Sequence, residues 1–147
     1  MKRDIRLRAL SRDHHHALVL ARHISAICAR NGMDANVIEL VRERFAVEIL
    51  PHFAIEEELL AALEGHGVDP LVTRTRDEHT AMVRLLGEAT STTDPACLCE
   101  LARLLVEHVR FEERELYPAC EELLAAAVLE RVARAHEEGR SVSLTSA

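Results

Sequence analysis

Apolar positions recur along this chain in steps of three and four, the spacing that lays one face of an α-helix against a core. Four such stripes can be traced. The first runs Leu10, His14, Ala17, Ala21, Ile24, Cys28, and the second Val37, Val41, Phe45, Glu48, His52, Glu56, Leu59, Leu63. The third is Val72, Thr75, His79, Met82, Leu86, and the fourth Leu98, Leu101, Leu105, His108, Glu112, Leu116, Ala119, Leu123. Each stripe is interrupted by an imidazole. Two of them also carry a carboxylate four residues after the histidine.

Punctuation between the stripes predicts where the helices begin and end. Ser11 reads as the N-cap of a first helix that closes at Asn31-Gly32, a left-handed stop signal. Asp34 caps a second helix running to Gly65. Asp69-Pro70 and Asp94-Pro95 repeat one device, an Asp cap followed by Pro at the first helical position. They open a third helix ending near Ala89 and a fourth running beyond Pro118. The links Gly65 to Val68 and Thr90 to Thr93 are short, so successive helices should run antiparallel. A last, weaker helix covers Val128 to Glu138, and the tail after Gly139 should be frayed or disordered. Pro51 and Pro118 interrupt helical patterns and should kink them beside the interrupted stretches. The expected fold is all-α: an antiparallel up-down-up-down four-helix bundle with a short C-terminal helical extension, its core spanning about residues 11–127 of a single domain, 1–147.

Composition agrees with this picture and removes several function classes. At 147 residues the chain can bury about two thirds of its unfolded surface in one domain. Gly and Pro are scarce, at 5 and 4, which favours helix. A net charge of −7 and the near-absence of aromatic residues argue against a nucleic-acid partner. The basic start, Met1-Lys2-Arg3, is not followed by an apolar segment, and no run of about 20 apolar residues occurs. The expectation is a cytoplasmic protein without membrane contact, its four cysteines (Cys28, Cys97, Cys99, Cys120) being reduced thiols.

Nine histidines change the picture more. An unpaired polar group in an apolar core costs roughly 1–3 kcal/mol, and an ionised carboxylate far more. Histidines and glutamates at one level of a bundle therefore need compensation, which bound metal supplies: its charge offsets the carboxylates and its valences take the imidazole nitrogens. Residues four apart stack about 6 Å along a helix axis, so one His-x3-Glu pair can offer an imidazole and a carboxylate bridging to a second ion. Imidazole with carboxylate and no thiolate suits iron, manganese or zinc.

The segments Asp13-His14-His15-His16, His52-Phe-Ala-Ile-Glu56-Glu57, Glu78-His79 and His108-Val-Arg-Phe-Glu112-Glu113, the last continuing to Pro118, resemble the hemerythrin-like HHE cation-binding family in the family's order. The resemblance implies His52, His79, His108 and one first-helix histidine as ligands, with Glu56 and Glu112 as bridging carboxylates. His14 lies on the apolar stripe and is the choice for the first helix; His15 and His16 remain alternatives. Implied too are two non-haem iron ions, oxo- or hydroxo-bridged, with manganese or zinc as substitutes. Typical hemerythrins have a further histidine one turn before the third-helix ligand, where this chain has Thr75. That departure would leave one ion with an open position.

The implied function is a di-iron protein that binds or senses O2 or NO, or acts in an iron or redox stress response. An enzyme of peroxide or NO reduction or of iron-cluster repair is the alternative, and a metal-independent helical interaction module the third. The partners expected are a small diatomic ligand or peroxide, with the chain a monomer or homodimer. Around the six candidate ligands, Glu48 and Tyr117 are read as groups that could orient an imidazole. His23, His66 and His136 are read as surface residues, and Glu57, Glu113 and Glu115 as solvent-facing or paired with Arg110 and Arg114. Cys97-x-Cys99 sits at a helix start, where thiols are acidified.

Overall fold

The computed structural model describes residues 2–31, 34–89 and 96–145, with side chains through Gly139. Every regular element among these residues is helical. A 3-10 turn (Ile5–Leu7) leads into α1 (Arg8–Ala29), followed by α2 (Ala35–Glu48), α3 (Leu50–Leu63) and α4 (Asp69–Glu88). After these come α5 (Ala96–Phe111), a π-helical turn (Glu112–Leu116), α6 (Tyr117–Leu123) and α7 (Ala126–Thr145). No helix of the described residues is long and apolar enough to cross a membrane.

Several boundaries differ from the expectation for identifiable reasons. The chain caps its first helical turn at Asp4, whose carboxylate accepts from Arg6 N, and α1 is under way by Arg8. Ser11 is therefore not a cap; its hydroxyl donates to Glu113 instead, at 2.8 Å. Asn31 does take the left-handed conformation, φ 51°, that ends a helix. Asp34 caps α2 through Val37 N at 2.9 Å. The single second helix is broken at Ile49 into α2 and α3, because Pro51 has no N–H to return to the preceding turn. Val68, not Asp69, is the residue preceding α4, and Asp69 accepts from Gly65 N at 3.3 Å. Asp94-Pro95 and the Thr90 to Thr93 link lie outside the described residues. The last helix reaches Thr145, so the tail expected to fray continues α7 past Gly139.

Two apolar clusters hold the bundle. One joins Ala17 to Ile24 of α1, Ile38 to Phe53 across α2 and α3, Met82 to Ala89 of α4 and its end, and Leu98 to Val109 of α5. The other joins Leu7, Leu10, Leu59, Leu60, Leu63, Val72, Leu116, Tyr117 and Cys120 with Leu129 and Val132 of α7. Between them, on the same helices, lie the interrupted parts of the stripes. α7 is more than an extension, since it buries two side chains in the second cluster and packs on α3.

One cysteine expectation is overturned. Cys28, near the end of α1, is bonded to Cys99, near the start of α5, with Cα atoms 6.1 Å apart. Neither Cys97, whose thiol donates to Glu88 at 3.7 Å, nor the buried Cys120 takes part in that bond. Folding places two residues 71 positions apart within disulfide reach, which no local pattern reveals.

Candidate metal centre

All six candidate ligands meet at one level of the bundle, and all are buried: His14, His52, Glu56, His79, His108 and Glu112. They form two groups of four. His14 and His52 share one group with Glu56 and Glu112, and His79 and His108 share the other with the same two carboxylates. Within each group the donor atoms lie within 4.8 Å of one another. Glu56 divides its oxygens between the groups, Oε2 being 3.2 Å from His52 Nε2 and Oε1 3.2 Å from His79 Nε2. Glu112 Oε1 lies 2.8 Å from His108 Nε2 and 3.0 Å from His14 Nε2. His15 and His16, the alternatives on α1, are exposed.

Behind this inner set stands a second ring of carboxylates. Asp13 Oδ2 lies 2.9 Å from His52 Nδ1, Glu78 Oε1 2.7 Å from His108 Nδ1, and Glu113 Oε2 2.7 Å from His14 Nδ1. A carboxylate on one imidazole nitrogen fixes the ring's tautomer and aims the other nitrogen inward, as metal-binding histidines require. His79 is held differently: the Phe53 ring stacks on it with centroids 3.9 Å apart. The Tyr117 hydroxyl donates to Glu56 Oε2 at 2.7 Å and lies 3.3 Å from His14 Nε2, so Tyr117 does face the cluster.

Three readings of individual residues are corrected. Glu48 does not orient His52; it pairs with Arg44 at 3.1 Å, and Asp13 takes the orienting position. Glu113 is only partly exposed, and from the π-helical turn it reaches His14, as Glu112 does. His136 is buried rather than superficial, with Nε2 2.8 Å from Asp13 Oδ2. His23, His66, Glu57 and Glu115 are exposed as expected, Glu57 pairing with Arg76 at 3.2 Å.

The residues fit a metal better than they fit one another. Glu56 Oε1, Glu112 Oε2, His79 Nε2 and His108 Nε2 are buried without a hydrogen-bond partner. His108 Nε2 and His79 Nε2 come close to carboxylate oxygens, yet at angles unsuited to a hydrogen bond. Unpartnered buried polar atoms are rare in native folds and call for an ion or water. Two imidazole nitrogens and two carboxylate oxygens left so in one cluster are the donor chemistry of a cation site.

Electrostatics gives the same cluster a measurable property. For His108, burial works to lower the pKa, but Glu112 beside it and Glu78 behind it outweigh burial and carry it to about 10. His52 and His14 are likewise raised, against burial, by Glu56 and Asp13 and by Glu112 and Glu113. A folded-state pKa raised from 6.5 to about 10 stabilises the metal-free fold below the lower value. That stability is lost as pH climbs through the upper one. A metal needs the neutral imidazole, so loading must expel the proton. Ferrous iron added anaerobically at pH 7 to metal-free protein, in weak buffer with an indicator dye, is expected to acidify the solution. A constant pH during uptake would contradict this.

Neither the comparison with curated proteins nor the one with solved structures gave a match. Among protein families, the one described as hemerythrin HHE cation binding domain matches residues 6–120. This span contains every residue of the inner cluster and of the backing carboxylates, and it leaves out α7. The chain belongs to the hemerythrin HHE cation-binding family.

Proposed function

We propose that the chain is a non-haem di-iron protein that binds a small diatomic molecule, O2 or NO. The observation carrying this reading is the division of donors into two groups that share Glu56 and Glu112 and no other residue. One ion would sit with His14 and His52, the other with His79 and His108, and the carboxylates would bridge them. The bundle around them is read as antiparallel, up-down-up-down. Support comes from the two apolar clusters: one takes the later part of α1 and the second takes its start, whereas α3 contributes in the opposite order.

Iron so held supplies electrons and a coordination position to a bound ligand. The chain supplies the rest. A cavity of about 10 Å³ adjoins the centre, lined by His14, His52, His108 and Glu112 together with apolar neighbours such as Phe53 and Leu105. It is room for about one water-sized molecule. Burial of the whole set keeps bulk water away. Tyr117 holds its proton firmly, since burial and the Glu56 charge both raise its pKa, so it stays a donor to Glu56.

A second reading, an enzyme reducing peroxide or NO, is favoured by Thr75. Its hydroxyl is turned back onto Leu71 O at 2.8 Å and offers nothing to the centre. The second group is therefore short of a donor where typical members of the family have one. The test is metal analysis of freshly purified protein, followed by anaerobic reduction and exposure to O2. About two irons per chain and an absorption band that vanishes when O2 is removed would support the carrier. Turnover with peroxide or NO would favour the enzyme. Substoichiometric metal, with a melting temperature indifferent to chelator, would sink both and leave a metal-independent helical module.

A further inference from the structure

Three imidazoles of the cluster are backed by a carboxylate, and each of those carboxylates is itself braced. Glu113, behind His14, accepts from the Ser11 hydroxyl at 2.8 Å and lies 3.4 Å from the Arg3 guanidinium. Glu78, behind His108, accepts from Arg74 Nε at 3.1 Å. Asp13, behind His52, has as its brace His136 of α7, whose Nε2 donates to the same oxygen, Oδ2, that faces His52 Nδ1. The brace is built in: His136 is 7% exposed, and Leu129 and Val132 on the same helix are buried in the second apolar cluster. Asp13 otherwise borders a cleft of about 450 Å³ between α1, the α2–α3 junction and α7, where water could compete for its oxygens. His136 and all of α7 lie beyond the residues matched to the family.

We propose that His136 is a positioning residue of the metal centre, fixing the His52 ring through Asp13, so that α7 completes the half of the centre formed by His14 and His52. This rests on the di-iron reading above. Removing a hydrogen-bonding partner from behind a metal-binding histidine typically weakens metal binding about 10- to 100-fold. His136 acts one residue further out, so the low end of that range is expected, and on one ion of the two.

The test titrates cobalt(II), anaerobically and against a competing chelator, into the metal-free full-length chain and its His136→Leu and His136→Gln variants. Visible absorption follows each ion, and the melting of each metal-free protein is recorded alongside. In the Leu variant one of two binding steps should weaken about tenfold with the other unchanged. The Gln variant, whose side-chain amide can still donate to Asp13, should recover most of that loss. Equal weakening of both steps, no weakening, or a Gln variant no better than Leu would overturn the proposal, the first result marking a merely structural role. A wild-type chain that takes up no metal would overturn the di-iron reading itself, and His136's role with it.

Discussion

On the di-iron reading, Glu56→Gln is expected to strip the protein of both metal ions, where His79→Ala removes one. The difference follows from position. Glu56 presents one oxygen to each donor group, to His52 and to His79, whereas His79 belongs to one group alone. Glutamine keeps the volume but halves the oxygens and removes the charge, so both ions would lose the Glu56 bridge at once, with Glu112 alone left between them. Loss of an outer partner alone costs about 10- to 100-fold in affinity, and a ligand shared by both ions should cost at least the upper figure for each. Iron per chain, measured after purification in the presence of a weak chelator, should fall well below one for Glu56→Gln and remain near one for His79→Ala. The amide substitution is preferable to alanine because it keeps the buried volume and a hydrogen-bonding oxygen, whereas alanine would add a cavity and confuse metal loss with unfolding. Two irons retained in Glu56→Gln would end the bridging assignment.

Reduction of the Cys28–Cys99 bond should produce the largest change in stability of the metal-free chain. The bond spans 71 positions and ties the end of α1 to the start of α5. Closing a loop of that length restricts the unfolded chain by on the order of 4 kcal/mol in the entropic account. For a domain of this size the corresponding fall in melting temperature is roughly 10 °C or more. Denaturant unfolding with and without reductant, and of the Cys28→Ser/Cys99→Ser variant, measures it. Identical midpoints would show that the link restrains nothing. Metal content should change little, because Cys28 packs in the first apolar cluster and belongs to neither donor group.

The six inner residues were legible in the sequence because each falls on an apolar stripe where only burial makes sense of the spacing. Helical periodicity selects residues of one helix's own inward face, and His14, His52, Glu56, His79, His108 and Glu112 all satisfy that filter. Asp13, Glu78 and Glu113 do not, since each lies about 100° round the helix from its inward neighbour. They act across helices, Asp13 of α1 on His52 of α3 and Glu78 of α4 on His108 of α5. A usable signal was present nonetheless: each is an acidic residue directly beside a candidate ligand, in Asp13-His14, Glu78-His79 and Glu112-Glu113. The signal is imperfect, for Glu57 stands in the same relation to Glu56 and pairs with Arg76 at the surface.

Other misses have the same physical root. Ser11 looked like a cap because capping is a local property, but its hydroxyl is engaged by Glu113, 102 residues away. His136 looked superficial because its helix shows a weak pattern on its own. The burial of α7 depends on α3 and the Leu7–Leu10 region, which no short window of sequence contains.

The polar layer between two apolar clusters has a consequence for how the chain comes apart. A bundle ordinarily opens from its ends, where contacts are fewest. Here the metal-free chain carries a polar seam at its waist, crossed by the helices but containing buried atoms without partners. The two apolar clusters share no residue, so the polar layer and the helices that cross it are what join them. An ion pair seated in the seam would couple the halves, so that occupancy governs more than ligand chemistry. It would decide whether the domain unfolds as one cooperative unit or as two.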